Sequence, residues 1–175
     1  MHVEDQWLAM MRQKLNEAMR EIKKKGVKVT MQQSEDQILV LVDLVSLTKK
    51  MREEAKQVLV QKMKASPFSL SFRKVKGVEV VVGKVTGVMT PEDEKRLKEL
   101  EIQYPNILTW KYDNKKHQLI VAVILTEFYR RGLEEIINKI KQELAQGIAM
   151  MSMAGVEINY EIKVENNLII RVYKA

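Results

Sequence analysis

Apolar residues recur along this chain with two alternating periods, and each change of period marks the border of an element. Trp7, Leu8, Met11, Leu15, Ala18, Met19 and Ile22 fall on one stripe at helical spacing, which predicts a helix with a single buried face. Lys23, Lys24 and Lys25 occupy its last turn, where cations offset the negative helix end, and Gly26 supplies a left-handed stop. From Val27 the period becomes two: Val27, Val29 and Met31 alternate with polar residues, Gln33 to Asp36 form a turn, and Ile38 to Val45 return. That is a hairpin.

The same succession recurs three more times. A second helix is predicted from about Thr48 to Ala65, closed by Ser66-Pro67 because the residue before proline resists helical geometry. Phe68, Leu70 and Phe72 then alternate towards a basic turn at Lys74 to Gly77, and Val78 to Val82 return. Thr90-Pro91-Glu92-Asp93 opens a third, short helix that ends before Pro105: Thr caps, Pro suits the first helical position, and the acids suit the first turn. Leu108, Trp110 and Tyr112 begin a third hairpin that turns at Asp113 to Lys116 and returns through Leu119 to Leu125. The last helix is predicted from Thr126 to Gln146, weakening past Gly147, and the final hairpin runs from Val156 through the Glu165-Asn166-Asn167 turn to Tyr173.

Four α-β-β units therefore predict an α+β fold with an antiparallel sheet of about eight strands and four helices. Met31 to Val42 aligns without a gap on Tyr112 to Val123, matching Gln37 with Gln118, and this echo suggests duplication. The expectation is one compact domain over 1–175, with possible internal halves 1–88 and 89–175. Ile38 to Leu41 and Leu119 to Ile124 are apolar at consecutive positions, which calls for a covering layer on both faces or for a subunit contact.

Composition narrows the chemistry. With no cysteine in 175 residues, thiol catalysis, disulfides and zinc-thiolate sites are excluded. The N-terminus has no apolar segment of leader type, and no apolar run approaches the roughly 20 residues of a membrane span, so a cytoplasmic protein without membrane contact is expected. His2 and His117 stand apart, without a metal-ligand partner at suitable spacing. Gly83-Lys84 lacks the glycines and the hydroxyl residue of a phosphate loop, and no dinucleotide or nucleophile-elbow pattern follows any strand. Glu161-Ile162-Lys163 has the E-x-K spacing of metal-dependent nucleases, but it would need an acid such as Asp43 or Asp113 delivered beside it. A non-enzymatic protein without a cofactor is the expectation, with a nuclease the less favoured reading.

Charge is the one feature that a core does not require. The formal net charge is +7, and Lys49 to Lys84 holds ten basic residues against three acids, leaving the remainder balanced. Such a block suits contact with phosphates or another polyanion. The candidate nucleic-acid-binding residues are Lys49, Lys50, Arg52, Lys56, Arg73, Lys74, Lys76 and Lys84, with DNA or RNA as the expected partner. Lys49, Arg52 and Lys56 share one helical ridge, and Arg73, Lys74 and Lys76 gather at a turn. No RNA-recognition, KH, OB or helix-turn-helix signature accompanies them. The alternative is a structural, assembly or scaffold protein that forms a homo-oligomer through an apolar sheet face.

Overall fold

A computed structural model describes residues 3–63 and 68–175 and contains four helices and eight antiparallel strands, an α+β fold. The elements are α1 (Val3–Lys24), β1 (Val29–Gln33), β2 (Gln37–Asp43), α2 (Leu44–Met63), β3 (Phe68–Val75) and β4 (Val78–Thr86). They continue with α3 (Pro91–Gln103), β5 (Leu108–Asp113), β6 (Gln118–Ile124), α4 (Leu125–Met153), β7 (Ile158–Val164) and β8 (Asn167–Lys174). The predicted stop of the second helix at Ser66-Pro67 lies outside the described residues.

The strands divide into two four-stranded sheets, ordered β1-β2-β8-β7 and β3-β4-β6-β5. In each sheet two hairpins meet through their second strands, which explains why those strands are the most apolar: they hold the centre. The chain accordingly separates into two units, one of Met1–Lys50 with Leu133–Ala175 and one of Met51–Gly132. The first and last hairpins share one unit and the middle two share the other, so the division falls inside α2 and α4.

In the first unit Met11, Leu15 and Met19 of α1 are fully buried, as are Ile38, Val40 and Val42 of β2 and Leu168, Ile170 and Val172 of β8. Fully burying each such side chain contributes about 1.5–3 kcal/mol. Helices α1 and α4 approach closely at Gly147, where an added Cβ would lie 2.8 Å from Met11 Sδ and 3.1 Å from Lys14 Cγ. Helix α2 begins four residues earlier than its apolar period predicts, because Asp43 caps it: the Ser46 amide donates to Asp43 Oδ2 at 3.2 Å. Ser46 Oγ in turn donates to the Asp43 carbonyl at 3.1 Å, fixing the strand-to-helix corner.

The second unit is built on one buried cluster. Val81 and Val85 of β4 and Leu119, Val121 and Val123 of β6 face Ala55 and Leu59 of α2, Leu97 and Leu100 of α3, and Leu125 of α4. Helix α3 starts as expected: the Asp93 amide donates to Thr90 Oγ1 and the Thr90 amide to Asp93 Oδ2, a reciprocal capping box with Pro91 in the first turn. All helices of this unit therefore serve one face of its sheet, and strand alternation sends every second side chain to the other face.

Candidate nucleic-acid interface

Register decides which cations can act together. On the helix side of the second unit's sheet, Phe72 stands opposite Val81 and Lys74 opposite Glu79. The Arg52 guanidinium lies 3.8 Å from the centre of the Phe72 ring and the Lys56 ammonium 4.6 Å from it. Both are also ion-paired, Arg52 with Glu79 at 3.2 Å and Lys56 with Glu53 at 3.2 Å. Arg52 Nε is buried without a hydrogen-bond partner among the described residues. These two side chains form a clamp over an aromatic ring and are committed to holding α2 on the sheet. Tyr129 belongs to the same neighbourhood: its hydroxyl is pushed above the ordinary tyrosine pKa by burial, and the Glu79 carboxylate adds to the shift.

The face turned away from the helices is different. Arg73 pairs in register with Val80, Lys84 with Ile120, and Ile120 with Lys111, so Lys84 and Lys111 stand at one level two strands apart, about 10 Å. Arg73 and Lys111 are exposed and Lys84 is half-buried. Lys76 sits at one end of the sheet in a two-residue turn with Gly77, both at positive φ (51° and 80°) as a tight hairpin requires. Lys115 and Lys116 lie in the β5–β6 turn at the other end and are exposed. None of these six cations makes a close ion pair among the described residues, although the Asp113 carboxylate interacts electrostatically with Lys116 and Lys111. The acid on this face, Asp113, accepts hydrogen bonds from the Lys115 and Lys116 amides at 2.9 and 3.2 Å, and those donors hold its pKa below the ordinary value.

Charge thus segregates across the sheet. The helical stretches of residues 51–132 carry eight basic and eight acidic residues, whereas the same 82-residue unit as a whole carries 16 against 10. Lys74 and Glu79 offset one another, so apart from Lys64, outside the described residues, the excess resides on the helix-free face and its two turns. Of the eight residues expected from the sequence, Arg73, Lys76 and Lys84 belong here. Arg52 and Lys56 are in the clamp, Lys74 faces the helix side, and Lys49 and Lys50 are exposed on the part of α2 in the first unit. Within the second unit the structure does not bring the expected residues onto one surface. Lys111, Lys115 and Lys116 join the set although they lie outside the basic stretch of sequence. Strand alternation was the available signal for Lys111, because Trp110 and Tyr112 beside it face the helices.

The other candidates resolve into structural roles. Arg171 is held by Gln37 Oε1 at 2.9 Å and Glu161 at 3.6 Å and lies 4.4 Å from the centre of the Tyr173 ring. Glu161 is thereby engaged and Asp43 is a helix cap, while Asp113 belongs to the other unit. Among the described residues no three His, Asp or Glu side chains converge as metal donors. His117 lies in the β5–β6 turn with Nδ1 3.4 Å from Tyr112 Oη, which donates to the Gly87 carbonyl at 3.0 Å. The aliphatic positions that the sequence assigns to a second face are half-buried: Leu39, Leu41 and Ile169 in one sheet, Ile120 and Ile124 in the other. Among the described residues no helix is long and apolar enough to cross a membrane. No family model, no curated protein and no solved structure matches the chain.

Proposed function

We propose that the chain is a non-enzymatic binder of nucleic-acid phosphates, acting through the helix-free face of the β3-β4-β6-β5 sheet. The observation that carries this reading is the charge segregation: a balanced helix layer on one side, and Arg73, Lys76, Lys84, Lys111, Lys115 and Lys116 on the other side and its rims. A core does not call for that arrangement, and a solvated surface would mix the signs. Cations that are not locked into close ion pairs can replace the counterions of a phosphate backbone, whose release drives association, with the single Asp113 carboxylate offsetting part of the charge of Lys111 and Lys116.

Fluorescence anisotropy with labelled DNA and RNA at about 50 mM salt tests the proposal. The unmodified chain is expected to bind, and the variant Arg73→Gln, Lys84→Gln, Lys111→Gln, Lys116→Gln is expected to lose binding without a change in melting temperature. Failure of the unmodified chain to bind DNA, RNA or heparin under those conditions ends the reading.

A further inference from the structure

We infer that the nucleic acid taken by this face is double-helical and is held through its backbone without base stacking; the inference rests on the phosphate-binding reading above. It comes from a separate observation, the placement of the aromatic side chains. Proteins that grip single strands combine cations with aromatic platforms, and each stacked base contributes about 1–3 kcal/mol. In the second unit the two ingredients are on opposite sides of the sheet. Phe72, Trp110 and Tyr112 stand on the helix side, Tyr104, Phe128 and Tyr129 pack against the same core, and no described residue of the helix-free face is aromatic.

What that face offers instead is a fixed array of charge. Arg73, Lys84 and Lys111 are rooted in hydrogen-bonded strands; between them Ser71, Ile120 and Ala122 are half-buried, and Val80 and Val82 of the same face are buried. A flexible single strand would have to be ordered on such a surface at the cost of its conformational freedom, with no stacking to offset it. A duplex arrives already ordered, and carries one charge per about 1.7 Å of axis. Without a Phe, Trp or Tyr platform among its described residues, recognition by this face follows backbone geometry and is indifferent to sequence.

The test compares a mixed-sequence DNA duplex of about 24 base pairs, the matching RNA duplex, and the single strands dT24 and rU24, with heparin as a polyanion control, all against the full chain in one buffer at low salt. The expected result is at least about tenfold tighter binding to one of the duplexes than to either single strand, unchanged when the duplex sequence is shuffled. Single strands bound as tightly as both duplexes, or more tightly, overturn this inference and leave the phosphate-binding reading standing. Binding to heparin alone also overturns it. Binding to none of the probes overturns the reading on which it rests.

Discussion

Replacing Arg52 and Lys56 together by alanine separates the clamp from the interface. Each cation over the Phe72 ring contributes about 0.5–1 kcal/mol at a partly exposed site. The Arg52–Glu79 pair at 3.2 Å, with both side chains a little over a third exposed, adds about 0–1 kcal/mol after screening. Alanine's higher helix propensity returns a few tenths. The net loss is about 1–2 kcal/mol, which in a chain of this length lowers the melting temperature by about 2–8 °C. The binding assay should respond differently. Neither residue belongs to the helix-free face, so the slope of log affinity against log salt should be that of the unmodified chain. The companion variant, Lys84→Gln with Lys111→Gln, should flatten the slope on duplex DNA by about 1.8 while leaving the melting temperature in place. Calorimetry or circular dichroism reads the first quantity and a salt titration by anisotropy the second. If the Arg52 and Lys56 double variant loses binding at unchanged melting temperature, the basic ridge of α2 is the contact surface and the assignment to the sheet is refuted.

Other residues give sharper structural tests. Asp43→Ala removes the cap of α2 and should destabilise by about 1 kcal/mol in urea unfolding, with Asp43→Ser recovering most of the loss. Gly147→Val places a branched side chain against Met11 and Lys14; overpacking should cost about 1–3 kcal/mol, and Met11→Ala in the same chain should cost less than it does alone. Asp113 titrates below the ordinary carboxylate value because two backbone amides donate to its charged form. Its contribution is therefore complete above that ordinary value and vanishes as pH falls through the depressed folded value; a carboxyl NMR titration should find its midpoint low, and Asp113→Asn should remove this part of the acid limb.

Most element positions are legible in the residues themselves. The stripe from Trp7 to Ile22, the capping box at Thr90 and the alternation of Leu108, Trp110 and Tyr112 each fix a local structure by steric and hydrogen-bonding rules that act within a few residues. The partition of strands is not legible, because Ile38 to Leu41, Leu119 to Ile124 and Leu168 to Ile170 are similar aliphatic runs, and any pair of them could make a central ladder. The start of α2 was obscured because Leu44 and Val45 read as a continuing strand; the cap at Asp43 overrides that preference. For the interface, proximity in sequence misleads. Arg73 and Lys74 are neighbours in the chain yet face opposite sides of a strand, and Lys111 reaches Lys84 only through the β4-β6-β5 pairing. Period-two alternation could have separated Arg73 from Lys74, but nothing local announces that β4 and β6 are partners.

The pairing of β2 with β8, which sets Asp43 opposite Asn167, has a consequence for how the molecule is made. During synthesis, residues 51–132 form a continuous stretch that emerges complete and can organise its own sheet at once. The other sheet must wait until the β7–β8 hairpin leaves the ribosome, since the centre of its ladder joins residues 37–43 to residues 167–173 across everything between them. Closing so large a loop slows that step. A ribosome stalled before residue 167 would therefore present the cationic sheet already assembled, beside a first hairpin whose apolar strand Gln37–Asp43 still lacks its partner.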